Sequence, residues 1–155
     1  MTRNSLPYCK SAIAVIVNKE NKILLIQKKN YQDDQWDFPG GGIEKNETEE
    51  QAILRELHEE IGTDKFEIVA KSAETDQYEW PDEIIEKYLR EKGQEWRGQQ
   101  RTQFLVKFLG EQTDINLQKD ELKQIMWVNA TDISKYLVFP NQSIKAKELL
   151  EEFKL

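Results

Sequence analysis

The chain holds one cysteine, Cys9, and one histidine, His58, in 155 residues. A single cysteine cannot close an internal disulfide, which argues against a small secreted scaffold and for a reducing cytoplasm. A single histidine argues against a histidine-based zinc site and against a Ser-His-Asp triad. No apolar run approaches the ~18–20 residues of a membrane span. The opening MTRNSLPYCK lacks the apolar core of a signal peptide. These absences predict a cytoplasmic protein with no membrane partner, and no obligate protein partner is evident. Positive charge is also short. Lys and Arg number 22 against 29 Asp and Glu, for a net charge of −7 and a pI near 4.9. Broad nucleic-acid binding needs a basic footprint. One nucleotide in a local cationic pocket does not. With 38% hydrophobic and 33% charged residues, the chain suits one compact domain over residues 1–155.

Along the chain, residues 1–7 read as a loose start. Ala12 to Val17 and Ile23 to Ile26 are apolar runs joined by Asn18-Lys19-Glu20-Asn21, a hairpin signal. Asn30 to Gln35 reads as polar loop, and Trp36 and Phe38 as core aromatics ahead of a Pro39-Gly40-Gly41-Gly42 loop. Further on, Phe66 to Ala70, Gln103 to Leu109 and Ile125 to Val128 read as strands. Pro81 to Lys92 reads as a helix with Pro81 in its first turn and Gly93 as its stop. Thr75 to Trp80 and Gln94 to Arg101 are polar and aromatic stretches, and Thr113 to Lys119 a connection with Ile115 and Leu117 tucked in. Asp132 to Leu137 reads as a short helical turn. Asn141 is expected to cap a last helix through Phe153, with Ile144, Leu149, Leu150 and Phe153 as its apolar residues. No repeat or low-complexity segment appears. The class is mixed α/β.

The most informative stretch is Gly41 to Thr63, GGIEKNETEEQAILRELHEEIGT. Thr48 and Gln51 fit a capping box, Glu49 and Glu50 suit the positive end of the helix dipole, and Gly62 is the expected stop. Ile53, Leu57 and Ile61 form the apolar stripe. Glu56, Glu59 and Glu60 stand at i, i+3 and i+4, where Cβ atoms lie about 5–6 Å apart. Three like charges on one face repel, and a divalent cation relieves that repulsion. Mg²⁺ takes hard oxygen ligands and is held by carboxylates together with substrate phosphates. The preceding glycines permit close approach of backbone to a ligand. Glu49, Glu50 and His58 read as solvated.

The pattern Gly41-x5-Glu47-x7-Arg55-Glu56-Leu57-x-Glu59-Glu60-x-Gly62 resembles the signature of the Nudix hydrolases, with Thr63 where an aliphatic residue is usual. The resemblance implies the Nudix fold, an α/β/α sandwich around a mixed β-sheet. It implies metal binding by Glu56, Glu59 and Glu60 with the carbonyl of Gly40, orientation of the glutamates by Arg55, and support of the loop by Glu47. It also implies Mg²⁺, with Mn²⁺ as a substitute, and hydrolysis of a nucleoside diphosphate linked to another group.

A second resemblance rests on Tyr78-Glu79-Trp80-Pro81, Trp96-Arg97-Gly98-Gln99, Phe104-Leu105 and Asp114-Ile115-Asn116-Leu117. Together these are similar to the subgroup of asymmetric diadenosine tetraphosphate hydrolases and RNA 5′-pyrophosphohydrolases. The subgroup implies that Glu121, six residues before Trp127-Val128, joins the metal site or activates water, and that Tyr78 and Phe139 frame a base site. Lys28, Lys29 and Arg101 are candidates to hold distal phosphates; Lys28 and Lys29 read equally well as solvated. The chain departs from the RNA-acting members at Cys9 and Pro140, where those carry basic residues. With the acidic charge, this favours a dinucleoside polyphosphate, cleaved to ATP plus AMP. A triphosphorylated RNA 5′ end is the first alternative, and a nucleotide-binding module without hydrolysis the second.

Overall fold

A computed structural model describes residues 3–118 and 120–155. Strand β1, Tyr8–Val17, is its axis, and the apolar run Ala12 to Val17 is buried on both faces. Such a run has no solvent side, as expected of a central strand between two layers. β2, Ile23–Lys28, returns antiparallel beside it. β3, Gly40–Gly42, pairs with β1 from Ser11 to Ile13. Helix α1, Glu49–Ile61, follows, and then β4, Phe66–Lys71, and β5, Asp76–Glu79. Helix α2, Asp82–Lys92, leads into the long β6, Gly98–Phe108, which runs parallel to β1. β7, Leu122–Val128, and helix α3, Gln142–Glu152, complete the chain. The main strand order is β4-β6-β1-β2-β7, with β3 hydrogen-bonded to β1 and β5 to β6.

Alternation along the strands divides the interior into two cores. Ala12, Ala14, Ile16, Leu24 and Ile26 face Ile53, Leu57 and Ile61 of α1. Ile13, Val15, Val17, Ile23 and Leu25 face Leu149, Leu150 and Phe153 at the other side, with Trp36 and Phe38 beside them. One helix thus covers each face of a mixed sheet, which is the α/β/α sandwich expected. Burial of so many branched side chains, each contributing roughly 1.5–3 kcal/mol, supplies the main stabilising term.

α1 begins and ends where its caps predict. Thr48 accepts from the Gln51 N–H at 3.1 Å, Gln51 accepts from the Thr48 N–H at 2.9 Å, and Gly62 closes the other end. Elsewhere the structure corrects the reading. The glycine loop is the strand β3. The polar stretches 75–80 and 94–101 supply β5 and the first half of β6, because their strands face a cleft and solvent instead of a core and carry no apolar alternation. Pro81 is the N-cap of α2, ahead of its first turn. The turn expected at 132–137 is a 3-10 helix over Ala130–Lys135. Asn141 precedes α3 with φ 64 and makes no side-chain cap bond. Ile144, expected in the core, is 63% exposed. Residues 1 and 2 of the expected loose start, and Lys119 at the end of the expected connection, lie outside the described residues.

Candidate active site

At the N-terminal halves of β1 and β6, the flanking strands are the short β3 and β5, and the sheet opens there into a cleft. β3 must lie close to both its neighbours. Gly40 has φ +153, and a Cβ there would come within 2.2 Å of the Ala12 carbonyl. A Cβ on Gly41 would come within 2.3 Å of the Glu56 carboxyl carbon. The glycines thus let the backbone touch β1 on one side and a carboxylate of α1 on the other.

Arg55 organises those carboxylates. Its Nε donates to Glu47 at 2.6 Å and its Nη2 to the other Glu47 oxygen at 3.0 Å. The same Nη2 donates to the Gly42 carbonyl at 2.8 Å. Nη1 donates to Glu56 at 3.0 Å and to Glu59 at 3.3 Å. A planar guanidinium can fork in this way where an ammonium cannot. Hydrogen bonds to Glu47 and Glu56 hold its own pKa above the ordinary range.

Glu60 is different. Its side chain is 3% exposed, and Gly40 donates a backbone N–H to it at 3.2 Å. Burial pushes its pKa up to about 8; Lys28 opposes the rise, and the charges of Glu56 and Glu121 add to it. Burial likewise raises Glu56, against the pull of Arg55. A buried carboxylate among further carboxylates is the environment that a divalent cation relieves. The donor set fits: hard oxygens on Glu56, Glu59, Glu60 and Glu121, with the Gly40 backbone alongside. As the side chains stand, no three acidic or imidazole groups among the described residues converge tightly enough to grip an ion. Arg55 engages one oxygen of Glu56 and one of Glu59, leaving the second oxygen of each outside these bonds.

Next to the carboxylates is a cleft of about 160 Å³ lined by Lys28, Gly40, Gly41, Ser11 and Gln99, among others. It shares Tyr31, Asp37, Tyr78 and Arg101 with a larger cavity of about 540 Å³, whose further walls include Phe139, Gln142 and Lys145. Tyr31 meets Phe139 edge-on at 5.2 Å. The arrangement is an aromatic chamber joined through four shared residues to a polar channel bordered by Gly40 and Gly41, whose backbone adjoins Glu60 and Glu56. Two of the lining residues are held by Asp76, which accepts from Lys145 at 2.6 Å and from Arg101 at 2.6 Å. Burial raises the Asp76 pKa, but these two cations outweigh it and hold the carboxyl below its ordinary value.

The expected site residues are brought together in some cases and kept apart in others. Glu56, Glu60, Arg55 and Gly40 meet at one point, and Tyr78 and Phe139 share the aromatic chamber. Glu121 is exposed and lines a shallow cleft with Glu59, His58, Gln118 and Asp120. Its charge acts on both Glu56 and Glu60. Lys28 is the last residue of β2, not a residue beyond it, and faces the channel. Lys29 is exposed, with its backbone N–H donating to the Glu121 carbonyl at 3.0 Å. Arg101 lines chamber and channel while two of its N–H groups go to Asp76. Glu49, read as solvated, is held instead by Lys71 at 2.7 Å and by the Thr102 hydroxyl. His58 is exposed and faces Asp64 at 2.6 Å.

The sequence reading missed Tyr31, Asp37 and Lys145. For Asp37 a signal existed: Trp36 and Phe38 are core residues, so the residue between them points the other way. For Lys145, one of two lysines on α3, none did.

A family model described as NUDIX domain matches residues 7–153. The chain is 33% identical to the RNA pyrophosphohydrolase of Sphingopyxis alaskensis over 154 residues, 97% of this chain and 95% of that relative. Among solved structures, it is similar to the E. coli dihydroneopterin triphosphate pyrophosphohydrolase, with TM-score 0.70, 18% identity and coverage of 96% and 99% of the two chains. It is also similar to a C. elegans Ap4A hydrolase in a binary complex, with TM-score 0.65, 19% identity and coverage of 93% and 98%. Identities that low establish a common fold. No described helix is long and apolar enough to cross a membrane.

Proposed function

The chain belongs to the Nudix family of hydrolases, and from that premise we propose that it cleaves a phosphoanhydride bond in a nucleoside 5′-polyphosphate. The observation that carries this reading is the continuity of the two cavities. Tyr31, Tyr78 and Phe139 line one cavity and offer aromatic surface to a base, and Lys28, Gly40 and Gly41 line the other and offer a phosphate chain a route beside Glu56 and Glu60.

Glu56, Glu59 and Glu60, with the Gly40 carbonyl, would hold a divalent cation; their hard oxygens suit Mg²⁺ and admit Mn²⁺. When bound, it supplies charge neutralisation for the phosphates and lowers the pKa of water. Arg55 fixes the glutamate carboxylates for that task. Lys28 offsets phosphate charge next to Glu60. Glu121, solvent-exposed and electrostatically joined to Glu56 and Glu60, takes the proton of the attacking water. Positioning and electrostatics carry phosphoryl transfer, so no covalent nucleophile is needed. The lone Cys9 fits a reducing cytoplasm as the place of action.

Two substrates present such a chain, and each is favoured by one observation. A dinucleoside polyphosphate, split asymmetrically as diadenosine tetraphosphate is into ATP and AMP, suits a protein of net charge −7, whose surface repels a long polyanion. A triphosphorylated RNA 5′ end is favoured by the printed name of the Sphingopyxis alaskensis relative. The test is product analysis with Mg²⁺ or Mn²⁺ on diadenosine tetraphosphate, beside 5′-triphosphorylated RNA and nucleoside triphosphates. ATP plus AMP released fastest supports the first substrate. Pyrophosphate or phosphate released preferentially from RNA supports the second. Nucleotide binding with no cleavage of any anhydride would overturn the hydrolase reading in favour of a binding module.

A further inference from the structure

Asp37 lines both the aromatic chamber and the phosphate channel. What joins a base to its 5′ phosphates is the ribose, so a residue common to both compartments faces the sugar. Three residues share that position with Asp37, namely Tyr31, Tyr78 and Arg101. Two of these are aromatic, and Arg101 is already engaged by Asp76 through two hydrogen bonds. Asp37 is half-buried and is held in place by its own loop. One carboxylate oxygen accepts the Phe38 N–H at 2.8 Å, and the other receives the Tyr31 hydroxyl at 3.4 Å. Its backbone is clamped to Ile26 by two hydrogen bonds of 2.8 and 3.0 Å. The second carboxylate of the chamber wall, Glu79, is taken up by Arg97. Asp37 therefore presents acceptor positions, fixed in direction, at the junction.

Resting on the function proposed above, we propose that Asp37 reads the ribose, accepting hydrogen bonds from its 2′ and 3′ hydroxyls. A carboxylate accepts from a diol through both oxygens, and the 2′-hydroxyl is the group by which a protein separates ribo from deoxyribo ligands. The same charge repels a phosphate at the 3′ oxygen. Asp37 thus selects a nucleoside with a free diol, such as each half of a dinucleoside polyphosphate, over an RNA 5′ nucleotide whose 3′ oxygen is esterified.

The test uses ligands with no anhydride to cleave. Dissociation constants are measured for AMP, 2′-deoxy-AMP, 3′-deoxy-AMP and adenosine 3′,5′-bisphosphate, on the wild type, Asp37→Asn and Asp37→Ala. Wild type is expected to bind AMP about ten- to one-hundred-fold more tightly than either deoxy form, the range for a hydrogen bond to a charged group, and to disfavour the bisphosphate. Both variants should bind AMP more weakly, bring the deoxy ratios to within about three-fold of unity, and regain relative affinity for the bisphosphate, Asp37→Asn while keeping the shape of the side chain. Equal ribo-to-deoxy ratios in wild type and variants would overturn the proposal, as would no AMP binding by a folded wild type. Cleavage of diadenosine tetraphosphate is followed in the same preparations. Cleavage with a flat ribose ratio removes the Asp37 contact and leaves the hydrolase reading. A ribose ratio without cleavage does the reverse.

Discussion

Two carboxylates, the buried Glu60 and the half-buried Asp76, are driven in opposite directions. Glu60 is 3% exposed and carries a pKa of about 8. Asp76, with a side chain 10% exposed, lies below its ordinary value. Burial raises both. The neighbours decide the outcome: Glu60 has further carboxylates around it and a single exposed lysine, whereas Asp76 has Arg101 and Lys145 within hydrogen-bond distance. Around Glu60 negative charge is in excess, whereas around Asp76 two cations offset it. A polyphosphate bridged by a cation complements the first, and the second is a closed structural cluster that shapes the nucleoside chamber. A carboxylate raised by burial among like charges is a candidate for function, and one held down by two cations is a candidate for scaffold.

The contrast can be broken first at its acidic end. Glu60→Gln or Glu59→Gln should leave the circular dichroism spectrum unchanged and lower kcat/KM by roughly 10²–10³-fold, the scale of losing one electrostatic stabiliser. Wild-type-like turnover under saturating Mg²⁺ would remove the metal assignment. At the other end, Asp76→Asn leaves Arg101 and Lys145 to repel each other. A buried pair broken on one side costs about 3–5 kcal/mol. Lys145 is 39% exposed, so screening reduces the expected loss here to about 1–3 kcal/mol. Chemical denaturation measures it, and an unchanged midpoint would contradict the structural role.

The pH response should separate the two ends more finely. Glu60 has a folded pKa raised above its unfolded value, so the native state keeps a proton that the unfolded chain releases. Stability should therefore fall as pH rises from about 4.5 to about 8. Mg²⁺ should flatten that decline, and Glu60→Gln should abolish it. Asp76 has the opposite sign. Its contribution is present above the unfolded pKa near 3.8 and is lost as pH falls through the lower folded value. Melting temperatures across pH 3–9 (roughly the span of these groups), with EDTA and with Mg²⁺, test both slopes. The smallest effect is expected at Ile144, an apolar residue outside both cores. Ile144→Ser should change stability by within about 0.5 kcal/mol, and a loss of several times that would mean the exposed face of α3 is covered.

α1 was legible almost to the residue, because capping box, apolar stripe and terminal glycine are local signals. β1 and β2 were legible because their apolar runs are unbroken. β3 was not. Three glycines carry no strand propensity, and they form a strand because β1 offers a partner that, at Gly40, only a residue without Cβ can approach. β5 was hidden for a different reason. Asp76, Gln77, Tyr78 and Glu79 line a cleft and solvent, so no hydrophobic period marks them. Ile144 shows the opposite failure: an apolar residue at plausible helical spacing that rotates to the surface, since the phase of α3 is set by Ala146, Leu149 and Leu150 packing on the sheet.

The sequence by itself determined the family, the central helix and the carboxylates on its face, because these depend on residues within one or two helical turns of each other. Only the tertiary structure decided which distant residues come together. Asp37, Asp76, Arg101 and Lys145 come from a loop, an edge strand, a central strand and the last helix. Their meeting is fixed by the register of β6 against β1 and by the packing of α3, non-local contacts that leave no periodic trace in the chain.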